Sequence, residues 1–104
     1  MRRPIRSRWM TYRLHFIAPA EKEWQKLGAT VREQFKKKLV ERLDTPRIPA
    51  DALHGLTDHY KIKLRASGYR LVYRVADDIV TVTVVSVGKR EKGDVYAAAK
   101  SRQP

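Results

Sequence analysis

The sequence predicts a small α+β domain of order β-α-α-β-β-β-α, with a helical hairpin on one face of an antiparallel-rich sheet and an open basic face on the other. Three observations carry that prediction. Two stretches with apolar residues at helical spacing lie in the first half of the chain. Three strand-like runs joined by tight turns fill the second half. Along those runs lysine and arginine alternate with apolar residues, so strand geometry alone sorts the cations onto one face.

Met1 to Trp9 carries four arginines and a proline without an amphipathic period and is expected to form an arm outside the fold. Met10 is a second candidate start, which would make the arm an upstream extension, and residues 10–104 then form one domain. Thr11 to Ile17 alternates polar and apolar residues and predicts a strand with Tyr12, Leu14 and Phe16 on one face. Pro19 suits the first turn of a helix running to Leu27, where Trp24 and Leu27 supply core contacts and Gly28 a C-terminal stop. Thr30 to Glu33 has capping-box spacing and opens a second helix to about Leu43. Its apolar face is Val31, Phe35, Leu39 and Leu43; Arg32, Lys36, Lys37 and Lys38 spread over the others.

Asp44 to Gly55, with Pro46 and Pro49, is expected to be a loop. The strands His59 to Arg65, Tyr69 to Ala76 and Ile79 to Val87 follow, linked by Ala66-Ser67-Gly68 and Asp77-Asp78 as an antiparallel meander. The last of them is the most β-branched and suits a central position. A charged loop, Gly88 to Gly93, leads to a short final helix that Asp94 can cap and that carries Tyr96.

Composition narrows the function. With 104 residues the chain can bury roughly two-thirds of its unfolded surface, enough for one core. It contains no cysteine, which excludes disulfides, thiolate metal sites and a cysteine nucleophile, and suits a reducing cytoplasm. No apolar run approaches the ~20 residues of a membrane span, and the basic start leads into no signal-peptide core. Twenty-three Lys and Arg against eleven Asp and Glu give a net charge of +12. So basic a domain repels itself, and polyanions are the partners that offset this. The histidines His15, His54 and His59 have no acid–base or metal-ligand spacing and read as surface or edge residues; no carboxylate cluster or P-loop is present, and no cofactor or metal is expected.

The cations converge by strand alternation. Tyr60, Ile62 and Leu64 point to the core side and Lys61, Lys63 and Arg65 to the other, where the hairpin partner adds Arg70 and Arg74. The loop after the next strand brings Lys89 and Arg90 near the same sheet end. An ordinary solvated strand face is the plain alternative. Against it, like charges side by side across strands repel, and acids are missing from this stripe, so an anionic ligand is the better reading.

Three segments, LGATVREQFKKKLVERLDTPRI, HYKIKLRASGYRLVYRV and VVSVGKREKGDVY, resemble the RelE toxins of bacterial and archaeal toxin–antitoxin pairs. The resemblance runs without gaps from Thr11 to about Arg102 and is most specific in K-I-K-L-R-x-S-G-Y-R-L-V-Y followed by S-V-G-K-R-E. It implies a RelE/ParE-like fold and a metal-independent endoribonuclease that cuts messenger RNA in the ribosomal A site. Residue by residue it implies a catalytic set of Lys61, Lys63, Arg70, Arg90 and Tyr96. The final helix departs from the family, with Ala97-Ala98-Ala99 in place of a more polar stretch.

Such an enzyme lets the 2′-hydroxyl attack the adjacent phosphate, leaving a 2′,3′-cyclic phosphate and a 5′-hydroxyl. The resemblance then implies Lys63 as base, helped by neighbouring cations that disfavour its protonated form. Lys61 and Arg70 clamp the phosphate, Arg90 stabilises charge at the leaving oxygen, and Tyr96 stacks on a base. Arg65, Arg74 and Lys89, with Arg32, Lys36, Lys37 and Lys38, would grip RNA and the ribosome. A RelB-like antitoxin is the implied protein partner, with DNA met only through the antitoxin complex and no membrane involved. The alternatives are a ParE-like toxin that inhibits DNA gyrase and a noncatalytic nucleic-acid-binding module, for which charge alone would suffice.

Overall fold

The computed structural model describes residues 11–103; the arm expected at 1–9 lies outside the described residues. The elements are β1 (Arg13–Phe16), α1 (Ala18–Gln25), α2 (Ala29–Asp44), β2 (His59–Leu64), β3 (Tyr69–Ala76), β4 (Thr81–Lys89) and α3 (Asp94–Ser101), with single-turn helices at Pro49–Asp51 and Glu91–Gly93. The sheet order is β1-β4-β3-β2. The last three strands form the expected antiparallel meander, and β1 joins β4 in parallel, which makes β4 central.

The α1–α2 hairpin covers the first face. Phe35 and Leu39 of α2 are buried against Ile62, Leu71, Tyr73, Val82 and Val84, with Val31 and Leu43 packed at the margin. This is the stripe that the i, i+4, i+8 spacing predicts. Phe16, Trp24 and Phe35 form an aromatic run, with ring centroids 5.2 Å and 6.3 Å apart. Leu14 is 41 % exposed despite sharing a strand face with Tyr12 and Phe16, because β1 is an edge strand.

Three helix ends differ from the sequence expectation. Gly28 has φ −67° and serves as the N-cap of α2, so it is not a left-handed stop for α1. Consequently α2 starts at Ala29, inside the expected capping box, and Thr30 makes no capping bond. Gly93, at φ +66°, is the N-cap of α3, where only glycine adopts the left-handed region without strain; Asp94 lies in the helix's first turn, where its charge favours the dipole.

The second face is narrower than alternation alone implies, because α3 lies on it. Val95 and Ala99 bury against Val72 of β3 and Val85 of β4, with Leu53, Leu56 and Tyr96 alongside. The register slips between Val72 and Tyr73, so Val72 opposes Ser86 while Tyr73 opposes Val84. That bulge turns Val85 and Ser86 both toward α3, and Ser86 Oγ donates to the Val95 carbonyl at 2.7 Å. The basic rim is what α3 leaves uncovered.

His59, expected at the surface or a strand edge, is buried, at 2 % exposure. Its Nδ1 lies 2.8 Å from the Thr57 carbonyl, so Nε2 is left to accept from Gln103 Nε2 at 3.1 Å. Burial holds the imidazole below its ordinary pKa, and Arg74 adds to the effect while the Thr57 carbonyl opposes it. The unfolded chain, titrating near ~6.5, therefore binds the proton first as pH falls. Stability is complete above that value and is lost as pH drops from it toward the folded value. Urea midpoints measured from pH 7.5 to 5 are expected to fall in wild type and to fall less in His59→Gln; equal slopes would contradict this account.

Candidate active site

The β2–β3 hairpin builds the centre of the site. Lys63 lies directly opposite Arg70, and Arg70 opposite Gly88 of β4, so two cations share one rung of the sheet. Lys61 stands two residues along on the same face, about 7 Å away. Arg65 follows β2 in a turn closed by Gly68, whose φ of +78° suits glycine. The Arg90 amide donates to the Gly68 carbonyl at 2.8 Å, which fixes the loop after β4 beside that turn.

The cations line two separate depressions. One, of about 420 Å³, is lined by Arg65, Ser67, Gly68, Arg70, Lys89, Arg90 and Glu91. In it Arg70 is 8 % exposed and donates to the Tyr69 carbonyl at 3.0 Å, which holds the guanidinium against the floor. The other, about 340 Å³, joins Lys61 of β2 to Tyr96 and Lys100 of α3, with Leu53, His54 and Leu56. Lys63 lines neither of these; it borders a third groove, of about 590 Å³, with Arg65, Val31, Gln34 and Lys38.

Three of the described arginines are neutralised within the fold. Arg42 pairs with Asp51, Arg47 with Asp58 and Asp77, and Arg102 with Glu23. Among the described residues, Lys61, Lys63, Arg65, Arg70, Lys89 and Arg90 make no ion pair. Unpaired cations near the half-buried ring of Tyr96 can hold a polyanion's backbone, with the open part of that ring available to a base. They can also stabilise charge that develops on a phosphate.

Not all predicted site residues gather there. Arg74 sits opposite His59, four residues along β3 from Arg70, and lines neither depression. Lys89 extends over the Tyr69 ring, 5.5 Å from its centroid, so part of its charge faces the helical side. Arg32 donates to the Leu27 carbonyl in the link between α1 and α2, while Lys36 and Lys37 are exposed on α2 away from both depressions. Two residues escaped the sequence reading. His54 was set aside for lack of a partner, and Lys100 follows Tyr96 at i+4, a spacing that would have placed it on the same helix face. Among the described residues there is no cluster of three or more His, Asp or Glu suited to a metal.

The sequence matches, over residues 14–93, the family described as ParE toxin of type II toxin-antitoxin system, parDE. It is 62% identical over 93 residues to the mRNA interferase toxin RelE of Escherichia coli strain K12, covering 89% of this chain and 98% of that protein. Among solved structures, a variant of E. coli toxin RelE in the free state matches with a TM-score of 0.84 at 60% identity, covering 90% of this chain and 99% of that one. A chain of the intact E. coli RelBE toxin–antitoxin complex matches with a TM-score of 0.76 at 64% identity, covering 78% and 99%.

Proposed function

Because this chain belongs to the RelE family of mRNA interferase toxins, we propose that it is the toxin of a type II toxin–antitoxin pair, a ribosome-dependent endoribonuclease that cuts messenger RNA in the A site. The observation that carries the reading is the juxtaposition of Lys63 with Arg70 on one rung of the sheet, with Arg90 lining the depression of Arg70 and Tyr96 that of Lys61. The resemblance to RelE assigns the catalytic set to these same five positions.

In this reading Lys63 takes the proton from the 2′-hydroxyl, whose oxygen then attacks the adjacent phosphorus. Lys61 and Arg70, on either side of Lys63, hold the phosphate oxygens as negative charge gathers. Arg90 faces the departing 5′-oxygen and stabilises it; a guanidinium of such high basicity serves better as a charge than as an acid. Tyr96 stacks on a splayed base and holds the in-line geometry. The ribosome presents the codon, and Arg65, Lys89, Lys38 and the outer lysines of α2 contact RNA backbone around it. Translating ribosomes place the activity in the cytoplasm, and no described helix is long and apolar enough to cross a membrane.

A RelB-like antitoxin is the protein partner, consistent with the RelBE complex among the similar structures. DNA is reached only through that complex. Inhibition of DNA gyrase is a second reading, favoured by the ParE description of the matching family. The 62% identity across nearly the whole of RelE favours the ribonuclease.

End-group analysis tests the chemistry. Cleaved message is expected to carry a 5′-hydroxyl and a 2′,3′-cyclic phosphate. A 5′-phosphate would refute attack by the 2′-hydroxyl. Unchanged message together with arrested supercoiling would favour gyrase.

A further inference from the structure

Glu23 and Arg102 are 79 residues apart in sequence and form a two-bond ion pair: Arg102 Nη1 reaches Glu23 Oε1 at 3.0 Å, and Nη2 reaches Oε2 at 2.9 Å. The pair lies at a break in the sheet. β1 stops pairing at Val84, which leaves the Val85 carbonyl and the Val87 amide of β4 without a strand partner on that side. Arg102 Nη1 donates to the Val85 carbonyl at 2.9 Å, and Glu23 Oε1 accepts from the Val87 amide at 2.9 Å. One ion pair thus closes the open edge and joins α1, β4 and the residue that ends α3.

The consequence reaches the site through α3. That helix has eight residues and is fixed near its start by the bond from Ser86 to the Val95 carbonyl. A helix held at one end can roll and tilt; held at both, it cannot. Tyr96 and Lys100 are the α3 residues that line the depression shared with Lys61. Their placement depends on the roll that the far end fixes.

We infer that Glu23, acting through Arg102, is a positioning residue for cleavage: it sets the roll of α3 and so holds Tyr96 over the site. The inference rests on the role of Tyr96 proposed above. Glu23 itself lies in α1, lines neither depression of the site and touches no candidate substrate group.

A double-mutant cycle separates positioning from general stability. Maximal single-turnover cleavage in programmed ribosomes is measured for wild type, Glu23→Gln, Tyr96→Ala and the double variant, with thermal midpoints recorded alongside. Glutamine can still accept from the Val87 amide but loses the charge pair. Glu23→Gln is expected to slow cleavage about tenfold when Tyr96 is present and less than twofold in the Tyr96→Ala background, since misplacement of about 1 Å can cost up to 100-fold. Arg102→Lys, which keeps the charge, is expected to restore part of the rate lost in Arg102→Gln, and it supplies the same cycle if Glu23→Gln does not fold. Equal slowing in both backgrounds would overturn the inference while leaving the ribonuclease intact. Undiminished cleavage by Tyr96→Ala would overturn both this inference and the proposed role of Tyr96.

Discussion

Replacing Lys63 by alanine is expected to reduce single-turnover cleavage of ribosome-bound message by about 10³-fold, the middle of the range for a lost general base. Lys63→Arg is expected to fare no better, since arginine keeps the positive charge but does not release a proton near neutral pH. Binding behaves differently. One phosphate contact fewer lowers the salt slope of RNA affinity by about one, for either a catalyst or a passive binding module. Cleavage and affinity measured on the same variants therefore separate the two readings. A Lys63→Arg protein that cuts at the wild-type rate would show that Lys63 supplies charge alone. The fold should survive both changes, because Lys63 lies at the sheet surface between Lys61 and Arg65 and makes no ion pair among the described residues.

The opposite behaviour is expected of Arg42. This residue of α2 donates to Asp51 at 2.6 Å, to the Tyr73 hydroxyl at 2.8 Å and to the Lys61 carbonyl at 3.2 Å. The Tyr73 hydroxyl in turn donates to the Pro46 carbonyl at 2.6 Å. The Arg42 and Asp51 side chains are only 15% and 17% exposed, so removing one strands the other away from water. Arg42→Ala is expected to cost about 3 kcal/mol, which for a domain of this size lowers Tm by about 15 °C. Because Lys61 lies within the reach of this network, the strand that carries the proposed base loosens with it. The double variant Arg42→Met/Asp51→Leu should recover most of the loss, as apolar replacements of buried ion pairs do. A shift below about 1 kcal/mol for Arg42→Ala would place the pair with ordinary surface ion pairs and contradict the account.

Much of the architecture was legible because local periodicity and tertiary packing agree. β3 runs from Tyr69 to Ala76 as read from the sequence, with Gly68 and Asp77 as its punctuation. The apolar stripe of α2 is the one that meets the sheet. The readings that fell short depended on distant parts of the chain. Strand alternation assigned the second face to cations, yet Val72 and Val85 on that face are the seat of α3, and a helix of small residues gives no signal of where it will land. The bulge that sends Val85 and Ser86 to one side breaks the period-two rule within a run of valines, where the pattern cannot register it. His59 looked like a strand-edge residue because nothing nearby in sequence announces that Gln103 will cover it.

The site divides in the same way. Lys61, Lys63 and Arg70 follow from the alternation and register of one hairpin, and their convergence needs only local geometry. Arg90 comes into place through a single amide bond to Gly68, a contact between two turns. Arg74 shares the face with Arg70 but stands about four residues away along β3, so membership of a face overstated its nearness to the site. Glu23 and Arg102 carried no sequence signal, since each is one charged residue among many until the fold joins them.

The central claim is that this row of cations cuts message held by the ribosome. Primer extension on a message in programmed ribosomes tests it most directly, comparing wild type with Lys63→Ala and Arg90→Ala. The account predicts cuts inside A-site codons that require ribosomes and vanish in both variants. Absence of cuts by a folded, antitoxin-free wild-type protein would contradict it.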